Sequence, residues 1–234
     1  MRDDAAMSSG ALERAVAGVA RRWSPARSVV AFAAAVSVFH HLPTTAGIVR
    51  LHNATDLLTP LAVVGSALAA LLTLRAPPRA LAVGFAAAVV YTDGHGIHLS
   101  ANAIRDWPLS GRAADSAHFW DETFGHLWWH LGWFGLVAAI CLADPRSRAE
   151  LDRVQTGAIV LLLGATLFTN TVEGGDWWLE LAAAAVFCAW AAAARRPVVT
   201  AFAGAFGFAA ALIGVWALWH GGVPQFSELG WLPG

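Results

Sequence analysis

The sequence predicts an all-α, polytopic membrane protein: seven transmembrane helices, N-terminus inside and C-terminus outside. Three observations predict it. Of 234 residues, 57% are hydrophobic and only 13% charged, with a mean hydropathy of +0.56. A soluble domain carries roughly a quarter charged residues. Apolar runs recur at the length of about 20 residues that a bilayer's hydrocarbon core requires. The third observation is charge asymmetry. Twelve of the 15 arginines fall at alternate ends of these runs, and only Arg50, Arg105 and Arg112 at the others, as the positive-inside rule requires.

Taken in order, residues 1–27 read as a cytoplasmic tail. MRDDAAMSSGALERAVAGVARRW has early acids and no continuous apolar core, so it is no signal peptide. A short interfacial helix from Ala11 to Trp23 is expected within it. The seven-helix bundle spans 28–220, with helices at about 28–48, 55–74, 80–103, 118–142, 155–173, 177–194 and 198–220 by hydropathy. The first, second and seventh are plain apolar runs; the third and fourth are polar at one end. The sixth, LELAAAAVFCAWAAAA, is alanine-rich enough to pack closely on neighbours. Gly125 and Gly132, Gly157 and Gly164, and Gly207, Gly214 and Gly221 are small-residue seams of the ordinary helix-packing kind. Residues 221–234 form an extracytoplasmic tail.

Composition excludes some classes. A net charge of −1 gives no basic footprint for nucleic acid. All 15 basic residues are arginine, and without a lysine amine no retinal Schiff base forms. Cys141 and Cys188 lie in apolar runs and read as structural thiols. The partner implied is the lipid bilayer itself.

Polar residues concentrate between Tyr91 and Trp133, which holds five of the nine histidines: His95, His98, His118, His126 and His130. Ionisable groups in a lipid-soluble segment are costly and usually mark a site. His95, His98 and Asn102 form one helical stripe; Glu122, His126 and His130 form another. With the orientation above, both lie towards the outer leaflet, as do His40, His41, Asn170, Glu173, Asp176, Glu180 and His220. His40 and His41 read as a pair facing the mouth. Asp93, Gly94 and Gly96 are expected to loosen the third helix near His95. Ser227 and Glu228 are candidates to fold back over the mouth.

HLWWH places two imidazoles at i, i+4, a spacing that lets both reach one metal ion. His98, His126 and His130 are the expected ligands, with His95 or Glu173 next, and zinc is the expected metal. Glu122, on the histidine stripe, is the candidate general base. Asp121 points about 100° away, as a residue that orients a histidine or hydrogen-bonds the start of its own helix. The same histidines would serve a copper or zinc carrier or sensor, a non-covalent haem, or a hydrogen-bonded cluster that holds helices together.

The blocks GHGIHLSANAI and FWDETFGHLWWHLGW resemble those of a poorly characterised family of seven-span bacterial membrane proteins, which implies a multi-pass protein of the plasma membrane. More distantly, seven spans with embedded histidines and a DE pair are similar in outline to the alkaline ceramidase and progestin/adipoQ receptor superfamily. That likeness implies a zinc-dependent hydrolase of lipid or other apolar substrates, landing on His98, Asp121, His126 and His130. The superfamily carries HxxxH on its last span, whereas HLWWH here is on the fourth.

Overall fold

The computed structural model describes residues 23–46, 49–105, 107–144 and 148–231; side chains at 42–55, 102 and 105 lie outside that description. The predicted interfacial helix, apart from Trp23, falls outside it too, as does the side chain of Asn102. Every regular element described is helical. Helix α1 is Pro25–Ala46, α2 Val49–Thr73 and α3 Pro78–Arg105. A short α4, Arg112–His118, runs through a π-helical turn, Phe119–Gly125, into α5, His126–Ala143. Then come α6 Arg153–Glu173, α7 Trp177–Ala194 and α8 Pro197–His220.

Local chemistry sets several boundaries. Ser24 Oγ accepts from Arg27 N at 3.2 Å, with Pro25 opening α1. Asp152 and Gln155 form a reciprocal capping box at the start of α6. Gly221, at φ 69°, ends α8 in the left-handed conformation that glycine adopts without strain. Among the described residues, six stretches are long and apolar enough to cross a membrane: 56–73, 78–101, 112–143, 153–173, 177–194 and 197–220. The expected fourth span therefore begins earlier, at Arg112, and carries the π turn inside it. Helix α3 is continuous through Asp93–Gly96, so those residues do not loosen it.

The core lies where α3 meets α5 and where α8 meets α6 and α7. Three glycines set the first contact. A Cβ on Gly94 would overlap the Trp128–Trp129 backbone and one on Gly132 that of Tyr91, while one on Gly125 would crowd the backbone of His98 at 3.1 Å. The two helices thus run antiparallel at backbone contact, as small residues permit. Phe206 stacks on Phe187 at 4.3 Å between α8 and α7. Ser37 Oγ and Thr166 Oγ1, 2.7 Å apart, tie α1 to α6. At the end rich in arginine, Arg196 donates to the carbonyls of Cys141 and Asp144, and Arg148 to that of Leu74. Both thiols are free, Cys141 buried and Cys188 on the outside of the bundle. Leu61, Phe85, Leu218 and Trp219 stand largely exposed. Such apolar exterior suits a lipid environment and not water.

Candidate functional site

The glycine contacts between α3 and α5 bring the two histidine stripes face to face. His98 and His126 end with ring centroids 4.5 Å apart and planes tilted by 34°. His126 and His130, one turn apart on α5, lie 6.0 Å apart and nearly parallel. His95 is buried 6.5 Å from His98.

Each of three histidines turns Nδ1 to a carboxylate. His98 Nδ1 is 2.6 Å from Asp121 Oδ1, and Asp121 is wholly buried. His130 Nδ1 is 2.6 Å from Asp176 Oδ2. His126 Nδ1 lies 3.5 Å from Glu122 Oε2, a looser i, i+4 contact. The π turn makes the first and third of these compatible. Its wider turn aims adjacent acids at different partners, Asp121 across to α3 and Glu122 along to α5. His126 also sits against the turn between α6 and α7, where a Cβ on Gly174 would meet its ring at 2.9 Å.

Trp129 is the hub. His40 stacks on it at 5.1 Å, His98 at 5.5 Å and His130 at 5.4 Å, while His95 meets it edge-on at 4.9 Å. His126 completes the ring at 6.0 Å. His40 Nδ1 pairs with Val36 O at 2.6 Å, which makes Nδ1 the donor and leaves Nε2 to accept from Tyr91 Oη at 3.3 Å. His40 is thus a buried member of the cluster and not a mouth-facing residue. Its neighbour His41 bonds Thr166 Oγ1 at 3.2 Å.

Other expected residues go elsewhere. Glu173, a candidate ligand, is diverted from the histidines: its Oε2 accepts from Phe226 N at 2.8 Å and Ser227 N at 3.2 Å. It anchors the C-terminal segment, which does fold back, onto Trp216 and Phe168. His220 lies against Trp216 with ring centroids 4.2 Å apart and planes tilted by 50°, and His118 ends α4 with its side chain exposed. Sequence reasoning missed the roles of Asp176 and Trp129. A conserved-looking spacing could not reveal Asp176, which lies 46 residues from His130; its place at the polar end of a span is the one available signal.

As ligand geometry the arrangement is partial. Among the described residues, no three His, Cys, Asp or Glu side chains converge as ligands of one ion would. What fits is the orientation, since a carboxylate on Nδ1 is how metal-binding imidazoles are usually held. His130 Nε2 is buried with no hydrogen-bond partner among the described residues. Glu180, one turn beyond Asp176, is wholly buried, and neither carboxyl oxygen is hydrogen-bonded among the described residues. Comparison with protein-family models, curated proteins and solved structures finds no match.

Proposed function

We propose that this is a seven-span integral membrane protein of a bacterial plasma membrane, N-terminus inside. Its histidine centre holds a transition-metal ion, zinc first, near the outer face and serves hydrolysis of a lipid or other apolar substrate. The observation that carries this reading is the set of three imidazoles with Nδ1 on Asp121, Glu122 and Asp176. Oriented so, each offers Nε2 as the ligand. His98 and His126, the closest pair, would hold the ion, with His130 next along α5. Zinc bound there would supply Lewis acidity and a water acidified to a pKa of about 7. Glu122 then orients His126 and is less suited to the role of general base that its stripe suggests. Among the described residues the arginine-rich end offers no comparable histidine cluster, which favours a one-sided centre over a carrier with a path through the bundle.

A second reading rests on a specific observation: no three ligand-type side chains converge among the described residues. In it the dyads and Trp129 form a metal-free hydrogen-bonded cluster that fixes the helices. Elemental analysis separates the two. Detergent-purified protein, prepared without chelator, is measured beside a folded His98→Ala, His126→Ala variant. About one zinc ion per chain, lost in the variant, supports the metal centre. Copper in its place supports the carrier or sensor, and iron with visible haem absorbance the haem protein. A folded wild type free of metal leaves the hydrogen-bonded cluster.

A further inference from the structure

A groove of about 1120 Å³ lies away from the histidines. Residues 93, 96, 97, 100 and 104 occupy the side of α3 opposite Tyr91, His95 and His98, and α4 with the π turn overhangs them. Phe85, Val89, Ile97 and Trp120 make its apolar wall. From Phe85 to Ile104 it follows α3 for roughly 28 Å at 1.5 Å per residue. Most of that length is inside the apolar stretch 78–101.

One wall residue does not belong to a plain lipid crease. Asp93 lines the groove and is exposed in it, midway along a spanning helix. Trp128 Nε1 donates to its Oδ2 at 3.1 Å, and Oδ1 has no hydrogen bond among the described residues. A carboxylate facing hydrocarbon is costly unless donors meet it. The groove therefore asks for an occupant that is apolar over most of its length and brings a donor to Asp93. An ordinary phospholipid does not meet Asp93, because only its acyl chains would reach the carboxylate and they bring no donor. Its head group would also rest near the helix end, roughly 16 Å above Asp93.

We propose that this groove binds a single-chain hydrophobic alcohol, its hydrocarbon along α3 and its hydroxyl donating to Asp93. The site is separate from the histidine centre and does not depend on how that centre is read.

The test uses the full chain in detergent, with tryptophan fluorescence quenched by 11-bromoundecan-1-ol or by 1-bromoundecane, which lacks the hydroxyl. Trp120 in the wall reports contact, and Trp120→Phe identifies its share of the signal. The alcohol should quench saturably, with half-saturation about tenfold below that of the bromoalkane. Asp93→Leu should abolish that preference. Gly96 faces open space, with no atom within 4 Å of an added Cβ, so Gly96→Leu fills the groove without pushing on its neighbours. It should remove saturable quenching by both probes at unchanged helix content. The His98→Ala, His126→Ala variant should bind the alcohol as the wild type does. Equal quenching by the two probes in the wild type, or a preference that survives Asp93→Leu, overturns the proposal and leaves a crease filled by bulk lipid.

Discussion

Gly132→Ala tests the contact on which the histidine centre depends. A Cβ there would lie 2.7 Å from Tyr91 Cβ and closer still to the Tyr91 backbone, whereas carbons rest at about 3.5–4.0 Å. Helices α3 and α5 must therefore part by about 1 Å. Overpacking of this kind costs about 1–3 kcal/mol, and here the obstacle is backbone that no rotamer change removes. Replacing a helical glycine by alanine returns about 0.5–1 kcal/mol, so the net loss is about 0–2.5 kcal/mol. Gly214 supplies the control on α8. Nothing lies within 4 Å of a Cβ there, so Gly214→Ala should be stabilising by about 0.5–1 kcal/mol. Reversible unfolding in mixed micelles with rising dodecyl sulfate, read by tryptophan fluorescence, gives both values. A second readout is local: parting by about 1 Å takes His98 Nδ1 and Asp121 Oδ1 from 2.6 Å to beyond 3.5 Å. The imidazole resonances of His98 should then shift. If Gly132→Ala proves as stable as Gly214→Ala, the backbone contact between α3 and α5 is not what organises the centre.

Three further substitutions probe the buried polar groups. Asp176→Ala leaves His130 Nδ1 unpartnered at full burial and should cost about 1–3 kcal/mol in the same unfolding assay. Glu180→Leu should stabilise the fold by about 1–3 kcal/mol, because it replaces a carboxyl buried without a hydrogen bond; a loss of stability would mean that Glu180 binds something. Glu173→Ala removes the acceptor for Phe226 N and Ser227 N, and should hasten limited proteolysis within residues 221–231. Metal content should not change in that variant, which checks that Glu173 is no ligand.

The helices were legible because lipid imposes a length and a composition on them, and the stripe at His126 and His130 because periodicity is local to one helix. Which stripe meets which was not legible in periodicity, although the glycines held part of the answer. Gly125 and Gly132 mark a packing face, and they sit where α3 comes into backbone contact. Gly94, which looks like a weak point in α3, is the third member of the same contact. The π turn has no compositional mark, so the directions of Asp121 and Glu122 could not follow from a 100° step. His40 stacks on Trp129 from a helix some 90 residues earlier, a pairing that no local pattern encodes.

The acids at this end of the bundle argue about function as much as the histidines do. A hydrolytic centre needs a group at liberty to take a proton, a carboxylate or an imidazole. Asp121, Glu122 and Asp176 each lie against a histidine, and Glu173 holds the C-terminal segment. Used this way, the acids fix the direction of imidazoles, which is the task of residues behind a metal's ligands. Among the described residues, Glu180, behind Asp176, and Asp93, across α3 in the groove, are carboxyls with no histidine against them. In the hydrolytic reading, the proton would therefore pass to the imidazole–carboxylate dyads and not to a carboxylate alone. If Glu122→Gln abolishes turnover of an identified substrate while leaving metal content and the His98 imidazole resonances intact, that assignment is wrong and Glu122 is itself the base.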